Sequence, residues 1–399
     1  MRHFFWKFVL FSALLPLAVF SQSKKGFEVK GHLEGLRDGE IVRLGNRFKD
    51  WHYFTPIDSC IIQNGSFQLK GEPVPEGPRV YELLFDSGRH RIANPNGKGN
   101  IGGIAIDIFV DNGDLLVIDG GDINIMRDAD FQDEISITGS LSHTARAAML
   151  PTAYKYWTQY ALLNKEFAKI QDSTGFDRFA VNRIIEAKFK LDRELDSLLV
   201  ISPGEGYKPA FPSFINFQDN YHAFFLKDLY NSLDAHAQKS YDGKILKSNA
   251  RLAIGQPLPD FILPDPDGKK IALKDIIAKS KVTLVHLWAS NSFDRDKYQQ
   301  ELFQSYKKYH NKGLNIIGVS ADSVADDWKF IVHQKKYPWV NVSDLKGNLE
   351  GGIVQDVYHE GGHSIPNTTN ILLDAGGKII AWDANGLELQ WYLWKYLGD

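Results

Sequence analysis

Cysteine is almost absent from this sequence, which contains one, Cys60, in 399 residues. A single cysteine cannot form an internal disulfide, a CxxC redox pair or a zinc cluster built on cysteine ligands. An excess of one charge is lacking as well, because 46 basic and 49 acidic residues leave a formal net charge of -3. This balance gives no global electrostatic reason to expect an anionic partner, so we expect no nucleic-acid partner.

No feature of the composition suggests disorder or a fibre. Apolar residues make up 43% of the chain and charged residues 24%, which is typical of globular proteins. At about 100–200 residues per domain, this length predicts two or three domains.

The N-terminus has the pattern of a secretory signal peptide. Arg2 and Lys7 flank the start of the apolar run 8–20, which is too short to span a bilayer comfortably. We predict a signal peptide over residues 1–21 with cleavage after Ser21; an N-terminal membrane anchor is the alternative. No other stretch is apolar enough to span a membrane. We therefore expect no membrane insertion after cleavage, and a soluble protein exported to the periplasm or the cell exterior.

The next two segments differ in their pattern. Residues 26–141 predict an all-β domain, in which Asn64-Gly65 and Asn112-Gly113 separate strand-like stretches and indicate two-residue hairpins. Residues 142–250 predict a helical segment, because apolar residues recur at helical spacing. The predicted helices cover 154–170, 176–199 and 214–233. Aromatic residues of the first helix, Tyr160 and Phe167 among them, are interpreted as helix-packing core rather than as a ligand site.

Residues 251–399 alternate between strand and helix patterns. The runs 281–288 and 314–319 are typical of buried strands, and each precedes a helical pattern, at 292–309 and 324–334. A hairpin and a last helix close the segment. This order predicts an α/β domain with a central mixed sheet and helices on both faces.

Four stretches of this last segment carry a resemblance to a known family. They are Ile254-Gly-Gln-Pro-Leu-Pro-Asp-Phe-Ile-Leu-Pro-Asp-Pro-Asp-Gly268, Leu284-Val-His-Leu-Trp-Ala-Ser290, Ser364-Ile-Pro-Asn-Thr-Thr369 and Leu373-Asp-Ala-Gly-Gly-Lys378. Together they resemble the TlpA/ResA-like thioredoxins, which are related to the AhpC/TSA redoxins. The resemblance implies a thioredoxin-like fold. More loosely, residues 26–141 resemble the uncharacterised β-domain that precedes such thioredoxins in bacterial envelope proteins.

The redox motif of that family does not match. The family has W-C-x-x-C directly after Trp-Ala-Ser, whereas this chain reads Trp288-Ala-Ser-Asn-Ser-Phe-Asp-Arg295. The resemblance places Ser292 and Arg295 at the two cysteine positions and Asn291 at that of the second tryptophan. Disulfide exchange requires a thiolate and a second thiol, so we expect no catalytic residue and no cofactor here. Ser292 is instead suited to cap a helix.

Pro366, preceded by Ile365, matches the cis-proline of the family. In the family this loop faces the CxxC turn and presents backbone to an extended chain, so its retention favours a binding groove; retention for folding alone is the alternative. We therefore predict a non-catalytic module of the cell envelope that binds an extended peptide or a protein partner. The predicted groove residues are Trp288, Asn291, Ser292, Phe293, Ile365 and Pro366.

Two other functions remain open at the level of sequence. The chain could be a thiol–disulfide oxidoreductase of the TlpA type that acts through an unrecognised thiol, either Cys60 or a thiol of a partner. It could also have a purely structural or assembly role. Cys60 itself is interpreted as a small buried apolar residue, and His286 as a hydrogen-bonded core histidine.

The string His359-Glu-Gly-Gly-His363 matches the H-E-x-x-H motif of zinc peptidases. That motif requires a helix, which two internal glycines oppose, so we expect no metal. A non-helical metal site formed by His359, Glu360 and His363 remains an alternative. A serine hydrolase using Ser292 and His363 is disfavoured, because the chain has no G-x-S-x-G nucleophile elbow.

Overall fold

The fold is seen in a computed structural model. It describes residues 26–46, 55–74, 79–86, 91–92, 101–102, 104–122, 135–171, 177–201, 226–233, 235–292, 295–347, 352–353 and 368–399. The predicted signal peptide lies outside these residues. Within them, no helix combines the length and the apolar character that crossing a membrane requires.

The first segment is a β-sandwich, which confirms the all-β prediction. One sheet has the strand order β10-β9-β1-β4 and the other β3-β2-β5-β8. Alternate apolar residues of the two sheets meet in one core, where the Phe27 and Tyr81 rings lie 5.0 Å apart. The strands are β1 (Phe27–Glu34), β2 (Ile41–Asn46), β3 (Thr55–Ile61), β4 (Ser66–Gly71), β5 (Arg79–Asp86), β6 (Arg91–Ile92), β7 (Ile101–Gly102), β8 (Ile104–Val110), β9 (Leu115–Asp122) and β10 (Ile135–Thr138).

The two Asn-Gly turns are tight turns whose flanking named strands belong to different sheets. Asn64 and Gly65 have φ values of 50° and 67°, as the predicted tight turn requires. However, β3 before this turn and β4 after it belong to different sheets, and β8 and β9 are divided in the same way around Asn112-Gly113. Across Asn64-Gly65, Gln63 and Ser66 form an antiparallel pair with hydrogen bonds of 3.1 and 3.0 Å in the two directions, so the predicted two-residue hairpin exists there as a single residue pair. It does not extend into the strands, because local sequence indicates a turn but not the sheet to which each arm is hydrogen-bonded.

The helical segment follows the sandwich. Its helices are α1 (Leu141–Gln171), α2 (Arg178–Ile201), α3 (Leu226–Ser232), α4 (Ala235–Lys239) and α5 (Tyr241–Arg251). Helix α1 begins at Leu141, well before the predicted residue 154. The helix continues through Pro151, although a proline ordinarily ends or kinks a helix. The Ser140 hydroxyl accepts a hydrogen bond from the His143 N–H at 3.2 Å and caps the start of α1.

The C-terminal segment has the predicted α/β architecture, with one mixed sheet of order β15-β14-β13-β16-β17. Strands β13, β14 and β15 are parallel, and β16 runs antiparallel to β13. Separate apolar cores cover the two faces of the sheet. The elements are β11 (Ile262–Pro264), β12 (Lys270–Ala272), α6 (Leu273–Ile277), β13 (Val282–Trp288), α7 (Arg295–Tyr309), β14 (Leu314–Ser320), α8 (Ala325–Lys335), β15 (Val340–Ser343), β16 (Thr369–Asp374), β17 (Ile379–Trp382) and α9 (Gly386–Leu397).

Helix α2 packs against α9 and so attaches the helical segment to the α/β domain. Val181 and Ile185 of α2 share an apolar core with Leu389 of α9. At the edge of this core, Trp391 Nε1 donates a hydrogen bond to Asn182 Oδ1 at 3.0 Å. Helix α2 is therefore part of the apolar core on one side of the α/β domain.

Candidate functional site

The turn between β13 and α7 lies beside the residue that precedes β16. The hydroxyls of Ser292 and Thr368 are hydrogen-bonded at 2.9 Å. The topology explains this contact, because β13 and β16 are antiparallel neighbours and the end of one meets the start of the other. Ser292 is thus close to the chain two residues after Pro366. Phe293, Ile365 and Pro366 themselves lie outside the described residues.

Helix α7 is described from Arg295 onward, and residues 293–294, which precede it, lie outside the described residues. The predicted start at residue 292 and the predicted cap at Ser292 therefore stay predictions. The Arg295 N–H donates a hydrogen bond to the Ser292 carbonyl oxygen at 3.3 Å, and the Ser292 hydroxyl contacts Thr368 across the turn. Asn291, next to it, is exposed. The hydroxyl therefore links the turn to the neighbouring loop.

Arg295 folds back over the turn. One of its Nη atoms donates a hydrogen bond to the carbonyl oxygen of Ser290, and its Nε donates to Asp296 at 3.1 Å. Asp296 also pairs with Lys335 of α8 at 3.0 Å. These contacts with Lys335 and Arg295 lower the pKa of the Asp296 carboxyl. The guanidinium therefore ties the start of α7 to the preceding loop.

A buried carboxylate supports the turn from below. Asp322, at 7% exposure, follows β14 and accepts hydrogen bonds from three donors. The Ser290 N–H and hydroxyl donate at 2.9 and 2.6 Å, and the Ser320 hydroxyl donates at 2.7 Å. Sequence reasoning missed this residue. The signal that could have found it is a Ser-x-Asp pattern at the end of a buried strand parallel to β13.

Two predicted residues lie deeper than the turn. His286 is buried in β13, where its Nδ1 lies 2.8 Å from Asn370 Oδ1, which confirms a hydrogen-bonded core histidine. Burial lowers the pKa of His286 to about 4, so the ring is neutral near neutral pH. Trp288, predicted as a groove residue, is 1% exposed, and its ring lies 5.9 Å from that of Tyr337 in a buried cluster with Trp328, so its side chain belongs to the core and is not exposed on a groove surface.

The remaining candidates lie elsewhere. Cys60 is half-buried in β3 of the sandwich, and burial raises the pKa of its thiol, which disfavours the thiolate. His359, Glu360 and His363 lie outside the described residues. Among the residues described, no cluster of three or more His, Cys, Asp or Glu side chains could hold a metal ion.

Comparisons with known proteins agree with this architecture. The AhpC/TSA family model matches residues 254–381, and a domain of unknown function (DUF4369) matches residues 27–145. The thiol-disulfide oxidoreductase ResA of Bacillus thuringiensis subsp. konkukian is 30% identical over 157 residues, which are 39% of this chain and 83% of that protein. This chain belongs to the TlpA/ResA-like thioredoxin family.

Two further similarities each cover about a third of this TlpA/ResA-like thioredoxin. Chloroplastic peroxiredoxin Q of Gentiana triflora is 28% identical over 135 residues, which are 33% of this chain and 58% of that protein. The thioredoxin domain of a thiol-disulfide oxidoreductase from Bacteroides vulgatus is 30% identical, with a TM-score of 0.32, and the match covers 37% of this chain and 99% of that domain.

The turn of this TlpA/ResA-like thioredoxin offers hydroxyl groups, a guanidinium and backbone groups. Its described residues contain no thiol, and the one cysteine of the sequence lies in the sandwich. Such groups donate and accept hydrogen bonds, whereas disulfide exchange proceeds through a thiolate. The described part of the turn is therefore equipped for hydrogen bonding.

Proposed function

We propose that this chain is an exported thioredoxin-like protein that has lost thiol–disulfide exchange and binds an extended peptide, or an extended segment of an envelope protein, beside the turn. The observation that carries the proposal is the hydrogen bond of Ser292, at the first cysteine position of the family, with Thr368. A serine hydroxyl is not ionised near neutral pH and forms no disulfide. The proposed role is therefore binding.

The support around the turn favours a retained binding surface. A site that had lost all function would not need a carboxylate with three donors beneath it, as Asp322 has. Arg295 adds a bond to the carbonyl of Ser290, which fixes the loop on the other side. Both features hold the backbone of the turn in one conformation, which lowers the entropy lost when an extended chain binds.

Insulin reduction tests the loss of redox activity. We expect the purified chain to be inactive and a Ser292→Cys/Arg295→Cys variant to reduce insulin, because the turn would then hold two thiols. The Ser292→Cys single variant is the matched control, since one thiol cannot resolve a mixed disulfide. An active wild type that becomes inactive on Cys60→Ser would instead establish the oxidoreductase alternative.

A peptide titration tests the binding role. The probe is the insulin B chain with alkylated cysteines, an extended peptide that cannot exchange disulfides. We expect Ser292→Trp to weaken its binding at least ten-fold by filling the groove. Gln304→Trp, on the exposed face of α7, is the matched control and should bind like wild type. Equal binding by both variants, or no binding by the wild type, would contradict the proposed groove.

A further inference from the structure

Four polar side chains in the core beside α7 have buried atoms without a hydrogen-bond partner in the described part of the chain. The atoms are Trp288 Nε1, both polar atoms of the Gln299 carboxamide, the Tyr337 hydroxyl oxygen and Asn341 Oδ1. Trp288, Gln299 and Asn341 are 1%, 2% and 4% exposed. Buried polar groups are ordinarily hydrogen-bonded, so these exceptions require an explanation. We call the four side chains the polar cluster.

Two of these atoms meet over Gly318 of β14, which is the neighbour of Asn341 in the sheet register. A Cβ atom on this glycine would overlap with Asn341 Oδ1 and would lie 3.1 Å from Trp288 Nε1. The indole N–H is a donor and the carboxamide oxygen an acceptor, yet neither is bonded to the other. A donor and an acceptor therefore approach the same point of β14 without a direct bond.

The other two members lie where α7 packs on β14. The Tyr337 ring lies 5.9 Å from the Trp288 ring and 5.7 Å from the Phe303 ring of α7. Gln299 is one helical turn before Phe303 and so lies on the same side of the helix. Because Gln299 is also buried, its carboxamide lies between α7 and the sheet. The polar cluster is thus enclosed by β13, β14, β15 and α7.

The polar cluster offers donors and acceptors but no charge. The indole N–H only donates and the Asn341 oxygen only accepts, whereas the Gln299 carboxamide and the Tyr337 phenol do both. Burial raises the pKa of Tyr337, so the phenol is neutral near neutral pH. Arg295 and Asp296, the charges that act on this phenol, pair with each other at 3.1 Å. A buried ion would need groups of the opposite charge, whereas water both donates and accepts.

We propose that the polar cluster binds internal water, with one molecule bridging Trp288 Nε1 and Asn341 Oδ1. This water accepts a hydrogen bond from the indole N–H and donates one to the Asn341 oxygen and one to the Gln299 carboxamide oxygen. A buried water typically makes about three hydrogen bonds, which these groups supply. The site lies in the core, so hydration and peptide binding in the proposed groove are tested separately.

Cross-relaxation between water and indole protons tests the proposal in the purified chain labelled with ¹⁵N-tryptophan. We expect the Trp288 Nε1–H to show an NOE and a ROE of opposite sign to water, as a long-lived internal molecule gives. Trp382 is the control in the same spectrum, because its buried indole donates to the Leu252 carbonyl at 2.8 Å and should show neither. Trp288→Phe assigns the resonance. An assigned Trp288 N–H without these signals would overturn the proposal.

Tyr337→Phe distinguishes bound water from a relayed signal. An exchanging phenol proton near the indole would give a similar cross-peak without any internal water. This variant removes the phenol proton but keeps the ring, so the signals at Trp288 should persist. Their loss in Tyr337→Phe would show that they came from the phenol and would overturn the proposal.

Substitution of the two carboxamides gives a third test. Asn341→Leu and Gln299→Met remove polar atoms at nearly constant volume, and each should reduce the Trp288 water signal at least three-fold. Asn311→Leu and Gln304→Met, at exposed positions, are the matched controls and should leave it unchanged. The remaining indole resonances show whether each variant is folded. An undiminished signal in folded Asn341→Leu or Gln299→Met would contradict the proposed bridge.

Discussion

Two buried carboxylate sites of this chain differ in how their charge is compensated. Beneath the turn, Asp322 accepts hydrogen bonds from a backbone N–H and two hydroxyls at 2.6–2.9 Å. At the junction of α1, α2 and α9, Asp192 has a buried oxygen without a partner in the described part of the chain. A carboxylate whose oxygens are hydrogen-bonded fixes a conformation, whereas a buried carboxyl oxygen without a hydrogen-bond partner makes ionisation costly. Asp322 thus holds the turn in one conformation, whereas burial raises the pKa of Asp192 to about 7, although Lys188 and Arg193 act in the opposite direction.

Removing the satisfied carboxylate should have the largest effect. Asp322→Ala leaves the Ser290 N–H and the hydroxyls of Ser290 and Ser320 without their acceptor. We expect a loss of about 3–5 kcal/mol in the free energy of unfolding, because each buried donor left without an acceptor costs about 1–3 kcal/mol. Urea unfolding measures this loss. Asp267→Ala, in an exposed turn, should change stability by less than about 0.5 kcal/mol. A similar small loss for both variants would contradict a supporting role for Asp322.

Neutralising a carboxyl at the junction should have the opposite sign. The pKa of Glu388 is raised from 4.5 to about 7 in the folded chain, so the folded state binds the proton more tightly than the unfolded state. Stability is therefore lost as the pH rises between these values, and the full penalty persists above pH 7. At about 1.4 kcal/mol per pKa unit, Glu388→Gln should raise the free energy of unfolding by roughly 2–3 kcal/mol at pH 8.

The pH dependence distinguishes this effect from general stabilisation. At pH 5 the gain from Glu388→Gln should be much smaller, because the wild-type carboxyl is then mostly protonated in the folded state. Chemical unfolding at the two pH values measures the difference. An equal gain at pH 5 and pH 8 would mean that the substitution improves packing and that the ionised Glu388 carries no penalty.

The two sites also differ in what sequence could predict. The continuous apolar run of β13 and the motifs around it identified the α/β domain and placed Ser292 at the turn, because buried strands have a local signature. Asp322 was missed because its role depends on donors from β14 and from the turn. The junction was missed because Lys188 and Glu388 are far apart in sequence and meet only when α2 packs on α9.

The hydroxyl pair at the turn should contribute less than either carboxyl. Ser292→Ala removes the hydrogen bond to Thr368, and the pair is only partly buried. We expect a loss of about 1 kcal/mol in the free energy of unfolding, the usual net value of a neutral hydrogen bond. Urea unfolding of Ser292→Ala, of Thr368→Val and of the double variant completes a mutant cycle that isolates the pair. Additive losses would show that the two hydroxyls have no coupling energy.

The smallest effect should come from the exposed ion pair beside the junction, although its contact distance is short. Arg178 Nη1 lies 2.6 Å from Asp399 Oδ2, and the two side chains are 37% and 74% exposed. Water and salt screen such a pair, so we expect a coupling energy below about 0.5 kcal/mol in a cycle of Arg178→Ala and Asp399→Asn. A coupling above about 2 kcal/mol would imply that the end of α9 is far less accessible to solvent than its exposure indicates. In that case exposure would not predict the strength of a charged contact in this chain. Burial and hydrogen bonding would then no longer explain the difference between the two carboxylate sites.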